Sequence, residues 1–134
     1  MPENLYNLLE TKLFPFVEKP GRYTGGEQNA IVKENAKIRG VLCFPELYDI
    51  GMSHYGSQIL YHIVNSNENW AMERAYMPWD DAEKIMRGHD IPLYSLESFS
   101  PVKNADFLGF SVQYELQYTN ILTMKMTGKT NMLI

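Results

Sequence analysis

The stretch "FPELYDIGMSHYG", residues 44–56, brings Glu46, Asp49, Ser53 and His54 close together along the chain, with Gly51 and Gly56 among them. A carboxylate pair, a hydroxyl and an imidazole in one short loop can hydrogen-bond a polar ligand or cap a helix. Two later stretches have similar chemistry: "ESFSP" supplies Glu97, Ser98 and Ser100, and "QYELQ" supplies Gln113, Tyr114, Glu115 and Gln117. Tyr48, Tyr55, Phe99, Tyr114 and Tyr118 lie in or near the same stretches. Their rings would serve a large flat ligand, and a protein interface equally well.

Part of the first loop is explained without a ligand. Ser53 is placed to cap a following helix, and Gly51 permits a bend that a side chain would resist. His54 then falls in the first helical turn, where the helix dipole disfavours a cation, so a neutral imidazole facing the loop is expected. His54, His62 and His89 are far apart and lack carboxylate or cysteine companions at metal-ligand spacing. No Ser-His-Asp order stands in a nucleophile-elbow context, and the acids of the first loop have no evident partner for acid–base work. "YDIGMSH" is only a partial version of the Ser/Thr/Gly-rich loop that a flavin phosphate needs. A flavin is therefore the weakest of the ligand readings.

These loops must be positioned by strands and helices. Leu5, Leu8, Leu9 and Leu13 recur at helical spacing, predicting an amphipathic helix that ends before Pro15. "EKPGRYTGGEQN" reads as a loop, and "NAIVK" as a short strand. "GVLCF" reads as a buried strand, and "GSQILYHIVN" as a helix with Gly56, Ile59, Leu60, Ile63 and Val64 on one face. "WAMERAYM" is a second, alternating strand. "DDAEKIMRG" is a helix opened by Asp80 with Glu83 in a capping box. "IPLYSL" and "ADFLGFSVQ" read as the third and fourth strands, and "LQYTNILTMKM" as a closing helix. Alternation of strand and helix with short connections predicts an α/β, doubly wound, mostly parallel sheet, incomplete at its C-terminal edge. In such a sheet ligands bind beyond the carboxyl ends of the strands, which selects the three loops above.

Composition narrows the class. A chain of 134 residues, 45% of them hydrophobic, can bury one sizeable core. A net charge of −4 offers no basic stripe for phosphates, so nucleic-acid binding by this segment has little electrostatic support. Cys43 is the sole cysteine and lies in an apolar run, where a buried small hydrophobe is expected. No secretory signal is read at the N-terminus, and no apolar run approaches the ~20 residues of a membrane span. A cytoplasmic, membrane-free protein is the expectation.

Four blocks carry a resemblance: "VEKPGRYTGGEQNAIVK", "FPELYDIGMSHYGSQILYHIVN", "ERAYMPWDDAEKIMRGHDIPLYSLES" and "DFLGFSVQYELQYTNIL". Together, over roughly residues 16–122, they resemble the N-terminal region of bacterial radical S-adenosylmethionine (radical SAM) proteins that carry a cobalamin-binding-type domain. The resemblance implies a flavodoxin-like, cobalamin-binding-type module ahead of a radical domain. That later domain holds an iron–sulfur cluster on a CxxxCxxC motif and cleaves S-adenosylmethionine. With Cys43 alone, this chain lacks that motif and is not catalytic by itself.

The DxHxxG signature of histidine-ligated cobalamin is also missing, since Asp49 and His54 are spaced D-x-x-x-x-H. A bound corrinoid would then lack histidine ligation and meet Tyr48, Asp49, Gly51, Ser53, His54 and Gly56 of the first loop. Glu97 and Ser98 of the second loop, and Gln113, Tyr114 and Glu115 of the third, would complete the contact. The expected organisation is an N-terminal helix and Gly/Pro-rich segment at 1–36, followed by a truncated cobalamin-binding-like α/β domain at 37–134. The tail "TMKMTGKTNMLI" departs from the family pattern, where a further strand should follow. The competing reading is a non-enzymatic interaction or scaffold domain of the same fold that binds no cofactor, self-associating through an unpaired sheet edge.

Overall fold

The computed structural model describes residues 2–128. Its centre is a three-stranded sheet of β1 (Ile38–Phe44), β2 (Trp70–Tyr76) and β3 (Phe107–Phe110) in the order β2-β1-β3. Both pairings are parallel: Ile38 lies opposite Trp70 and Phe44 opposite Tyr76, while Gly40 lies opposite Phe107 and Cys43 opposite Phe110. The helices are α1 (Pro2–Lys12), the short α2 (Tyr48–Gly51), α3 (Tyr55–Asn65), α4 (Asp80–Gly88) and α5 (Gln117–Gly128). The chain is thus a mixed α/β protein with parallel strands, as the alternation of patterns predicts.

Side chains of a strand alternate between the two faces of its sheet. Val41, Cys43 and Ala75 join the main core with Leu5 and Leu9 of α1, Leu13 just after it, Ala82 and Met86 of α4, and Met124 of α5. Leu42 and Met72 pack instead with Tyr61 and Val64 of α3 and with Ile31. The leucine stripe of α1 is buried as its spacing predicts, and Cys43 is a core residue whose thiol burial pushes up to about 12.

Several sequence expectations are corrected. The sheet has three strands among the described residues, because "IPLYSL" forms only a single antiparallel bridge, Tyr94 to Pro101. Leu93 and Tyr94 line a small pocket with Tyr76 and Met77, the Leu96 amide donates to the Arg74 carbonyl at 2.9 Å, and Ser98 Oγ donates to Glu73. The segment is thus held against β2 by single contacts, without forming a ladder that would add it to the sheet. The polar residues Ser95, Glu97 and Ser98 are drawn to the buried charges Glu73 and Arg74, and Phe99, at φ 55°, turns the chain back.

β2 accordingly does not alternate between core and solvent: every residue after Trp70 is buried, charges included. "NAIVK" is not a strand either. The outward backbone groups of β2, which such a strand would pair, are satisfied mainly by side chains. Lys33 Nζ donates to Trp70 O at 2.7 Å, the Asn65 carboxamide bonds both N and O of Met72 at 3.0 Å, and Glu97 Oε1 accepts the Arg74 amide at 2.8 Å. This closes one edge of the sheet.

The helix starts also differ. At α4 the cap position is Trp79, without a side-chain bond, and Asp80 is already inside the helix; Glu83 pairs with Arg87 instead. At α3 the buried residues are Ser57, Tyr61 and Asn65, while Ile59, Leu60 and Ile63 face outward. Two polar anchors set that rotation: Tyr61 Oη donates to Glu97 and accepts from the Ile31 amide, and Asn65 clamps Met72. No described helix is long and apolar enough to cross a membrane. The tail beyond residue 128 lies outside the described residues.

Candidate functional site

Parallel strands deliver their loops to the same end of a sheet, and here β1 and β3 do so as neighbours. β1 leads into Pro45, Glu46 and α2, and β3 leads into residues 111–116 and α5. Three contacts tie the two loops together, and a fourth braces the second of them internally. Tyr114 Oη donates to Glu46 Oε2 at 2.5 Å, and Gln117 Nε2 approaches the same oxygen at 3.5 Å. Gln117 Oε1 accepts the Gln113 amide at 2.6 Å, and Asn120 Nδ2 donates to Pro45 O at 2.9 Å. Gln117 is 1% exposed, so this carboxamide at the start of α5 is a buried pin between the loops.

The loops enclose a hollow of about 270 Å³ lined by Phe44, Glu46, Ile50, Ser53, His54, Gln113, Tyr114 and Gln117. Its wall is apolar on the Phe44 and Ile50 side and carries carboxamides, a carboxylate and a phenol opposite. The Glu46 carboxylate beside Tyr114 raises the phenol above the ordinary tyrosine range, so at neutral pH Tyr114 is the donor and Glu46 the acceptor.

His54, rather than Ser53, caps α3. Its Nδ1 accepts the Ser57 amide at 3.1 Å and lies 2.8 Å from Ser57 Oγ, and its ring packs 4.9 Å from that of Phe44. Accepting at Nδ1 assigns the ring proton to Nε2, the neutral imidazole expected at a helix start. Ser53 Oγ donates back to Asp49 O at 3.1 Å. The polar wall of the hollow presents both hydrogen-bond donors and acceptors; Ser57, buried beneath the imidazole, is not part of its lining.

Of the corrinoid contacts expected, the structure gathers Ser53, His54, Gln113 and Tyr114, and with them Glu46 and Gln117, which the sequence also places in these loops. Gly56 lies against the His54 ring. Tyr48 turns away to an edge contact with Tyr76, and Asp49 pairs with Arg22 at 2.9 Å. That pairing raises the Arg22 guanidinium further. Gly51 makes no bend: it is the last residue of α2, and the Tyr76 and Phe44 rings occupy the space a Cβ would need. Glu115 is exposed at the turn before α5.

The second loop does not reach this rim. Glu97 is buried against Arg74 Nε at 2.8 Å and Tyr61 Oη at 2.9 Å. Ser98 binds Glu73, which is also paired with Arg39 near the start of β1. Sequence reasoning passed over Phe44 and Ile50 as site residues; the signal for them is their position at and just after the end of a central strand. Among the described residues no group of three or more His, Cys, Asp or Glu could hold a metal ion.

Comparison with known proteins supplies the family. A model of the N-terminal region of radical SAM proteins matches residues 56–133, more than half of the chain. The chain belongs to that family. The matched span starts in α3 and includes β2, α4, β3 and the third loop. No curated protein and no solved structure matches the chain.

Proposed function

We propose that this chain is the N-terminal, cobalamin-binding-like domain of a radical SAM protein, of flavodoxin-like, doubly wound type, and that its rim at the ends of β1 and β3 holds a corrinoid. The observation that carries the reading is the joining of Glu46, Gln113, Tyr114 and Gln117 over one hollow, in a chain of the radical SAM N-terminal family. A corrinoid's periphery is a ring of carboxamide arms, which both donate and accept. Gln113, Gln117, Ser53 and Glu46 are matched to such arms, and Phe44 and Ile50 to the apolar macrocycle. A hollow of about 270 Å³ is smaller than the macrocycle, so the ligand would lie across its mouth.

His54 offers no outward lone pair while Nδ1 caps α3, which supports binding without histidine ligation. When bound, a corrinoid supplies cobalt-centred redox and alkyl-transfer chemistry. The residues of this chain orient it and exclude water from one face. The iron–sulfur cluster and S-adenosylmethionine belong to the longer family proteins, not to this segment.

The test is mixing the purified chain with hydroxocobalamin, followed by gel filtration read at a corrinoid absorbance band, beside a far-ultraviolet melting curve. Colour travelling with a folded protein is the expected result. A cooperative melt with all colour in the low-mass fraction would reject the corrinoid. That second outcome would favour a scaffold domain of the same fold, a reading supported by the apolar face α3 turns to solvent.

A further inference from the structure

We infer that α3 is the contact face of a symmetric dimer of this chain. Tyr55, Ile59, Leu60 and Ile63 are 83%, 54%, 48% and 61% exposed, and all four lie on one side of an 11-residue helix. Scattered exposed apolar residues need no explanation, but a contiguous stripe along a helix does. The stripe is fixed rather than incidental, because Tyr61 and Asn65 anchor the opposite side of α3 to Glu97, Ile31 and Met72.

Two features single out a second copy as the occupant. A two-fold interface sets a surface against itself, so every ionised group on it meets its like. From His54 to Asn65 there is no Asp, Glu, Lys or Arg, whereas α4 carries Asp80, Asp81, Glu83, Lys84 and Arg87 in nine residues.

The face also carries both halves of a ridge-and-groove contact. Tyr55, Ile59 and Ile63 form a ridge at four-residue spacing, the row that interdigitates when helices cross. Beside it, a groove of about 630 Å³ runs along that ridge, lined also by Asn29, Met52, Ser53, Gln58 and His62.

The four side chains expose roughly 500 Å² per copy, so a two-fold contact buries on the order of 1,000 Å² in total, the lower limit for specific association. The dimer is therefore weak, dissociating at micromolar concentration. This inference places self-association on α3 rather than on a sheet edge. It does not depend on the ligand of the rim.

Sedimentation velocity of the chain from about 1 to about 200 μM reads the association directly. The expected result is a monomer that converts to a dimer across that range, and a monomer throughout for Ile59→Lys/Ile63→Lys and for Tyr55→Lys, with circular dichroism unchanged. A wild-type monomer at every concentration overturns the inference. So does a dimer that survives both α3 variants but is lost in Leu108→Pro, which assigns the contact to the β3 edge.

Discussion

The phenol of Tyr114 donates a 2.5 Å hydrogen bond to the carboxylate of Glu46, 68 positions earlier in the chain. The bond joins the loop after β3 to the loop after β1, and it exists because those strands are parallel neighbours in the sheet. It holds one side of the hollow in shape, with buried Gln117 beneath it.

Glu46→Gln removes the charge that the Tyr114 phenol faces. The raised ionisation of Tyr114 falls back toward the ordinary tyrosine value, which absorbance near 295 nm reads when compared with Tyr114→Phe. Both variants keep the overall melting midpoint, while amide exchange of residues 112–116 speeds up. Unchanged exchange in both would show that the bond does not order the rim.

Glu97→Ala leaves the Arg74 guanidinium buried without its carboxylate, stacked 4.0 Å from the Tyr61 ring centre. Breaking a buried ion pair from one side costs about 3–5 kcal/mol, a large part of the stability of a domain this size. Urea unfolding should show a loss in that range, against no more than about 1 kcal/mol for removing the exposed Arg87–Glu83 pair. Equal effects would mean that the Glu97 cluster is not a structural anchor.

Adding a methyl group at Gly51 forces it into the Tyr76 and Phe44 rings. Gly51→Ala is therefore expected to cost about 1–3 kcal/mol despite the better helix propensity of alanine. A stabilised variant in the same urea assay would contradict this packing.

Burial pushes the Tyr61 and Tyr76 phenols up to about 12, and it moves Tyr94 upward as well. In the unfolded chain these groups ionise near 10. Above that pH the unfolded state sheds protons that the folded state retains, so stability is full below pH 10 and falls as the pH rises toward 12. The loss is on the order of 2 kcal/mol per buried phenol. Melting curves from pH 8 to 12 should show a plateau and then a steep decline, and Tyr76→Phe should soften the decline. A flat profile to pH 12 would mean that the buried phenols do not couple to unfolding.

The sequence makes some of this plain and hides the rest. The strands β1, β2 and β3 and the helices α1, α3, α4 and α5 are legible because apolar runs and helical spacing are local signals, whereas the short α2 lies in a stretch that reads as loop. Half of the rim followed from a general property of parallel sheets, with Ser53, His54, Gln113 and Tyr114 meeting in one hollow.

The errors came from buried polar groups. Periodicity assigns the core of α3 to Ile59, Leu60 and Ile63, yet Tyr61 and Asn65 turn the helix because their hydrogen bonds reach Glu97 and Met72. "IPLYSL" has strand composition, but its serines and Glu97 answer to Glu73 and Arg74, charges whose burial no local pattern in "WAMERAYM" announces. "NAIVK" reads as a short strand but forms none; its own Lys33 side chain instead bonds the outer edge of β2, beside Asn65 and Glu97.

The most direct test is nitrogen–proton correlation spectroscopy of the labelled chain during titration with hydroxocobalamin. Shift changes should gather on Glu46, Ile50, Ser53, His54, Gln113, Tyr114 and Gln117, leaving Glu97 to Ser100 still. Changes centred on Glu97 to Ser100, or none at saturating corrinoid with a dispersed spectrum, would contradict a ligand rim at the ends of β1 and β3.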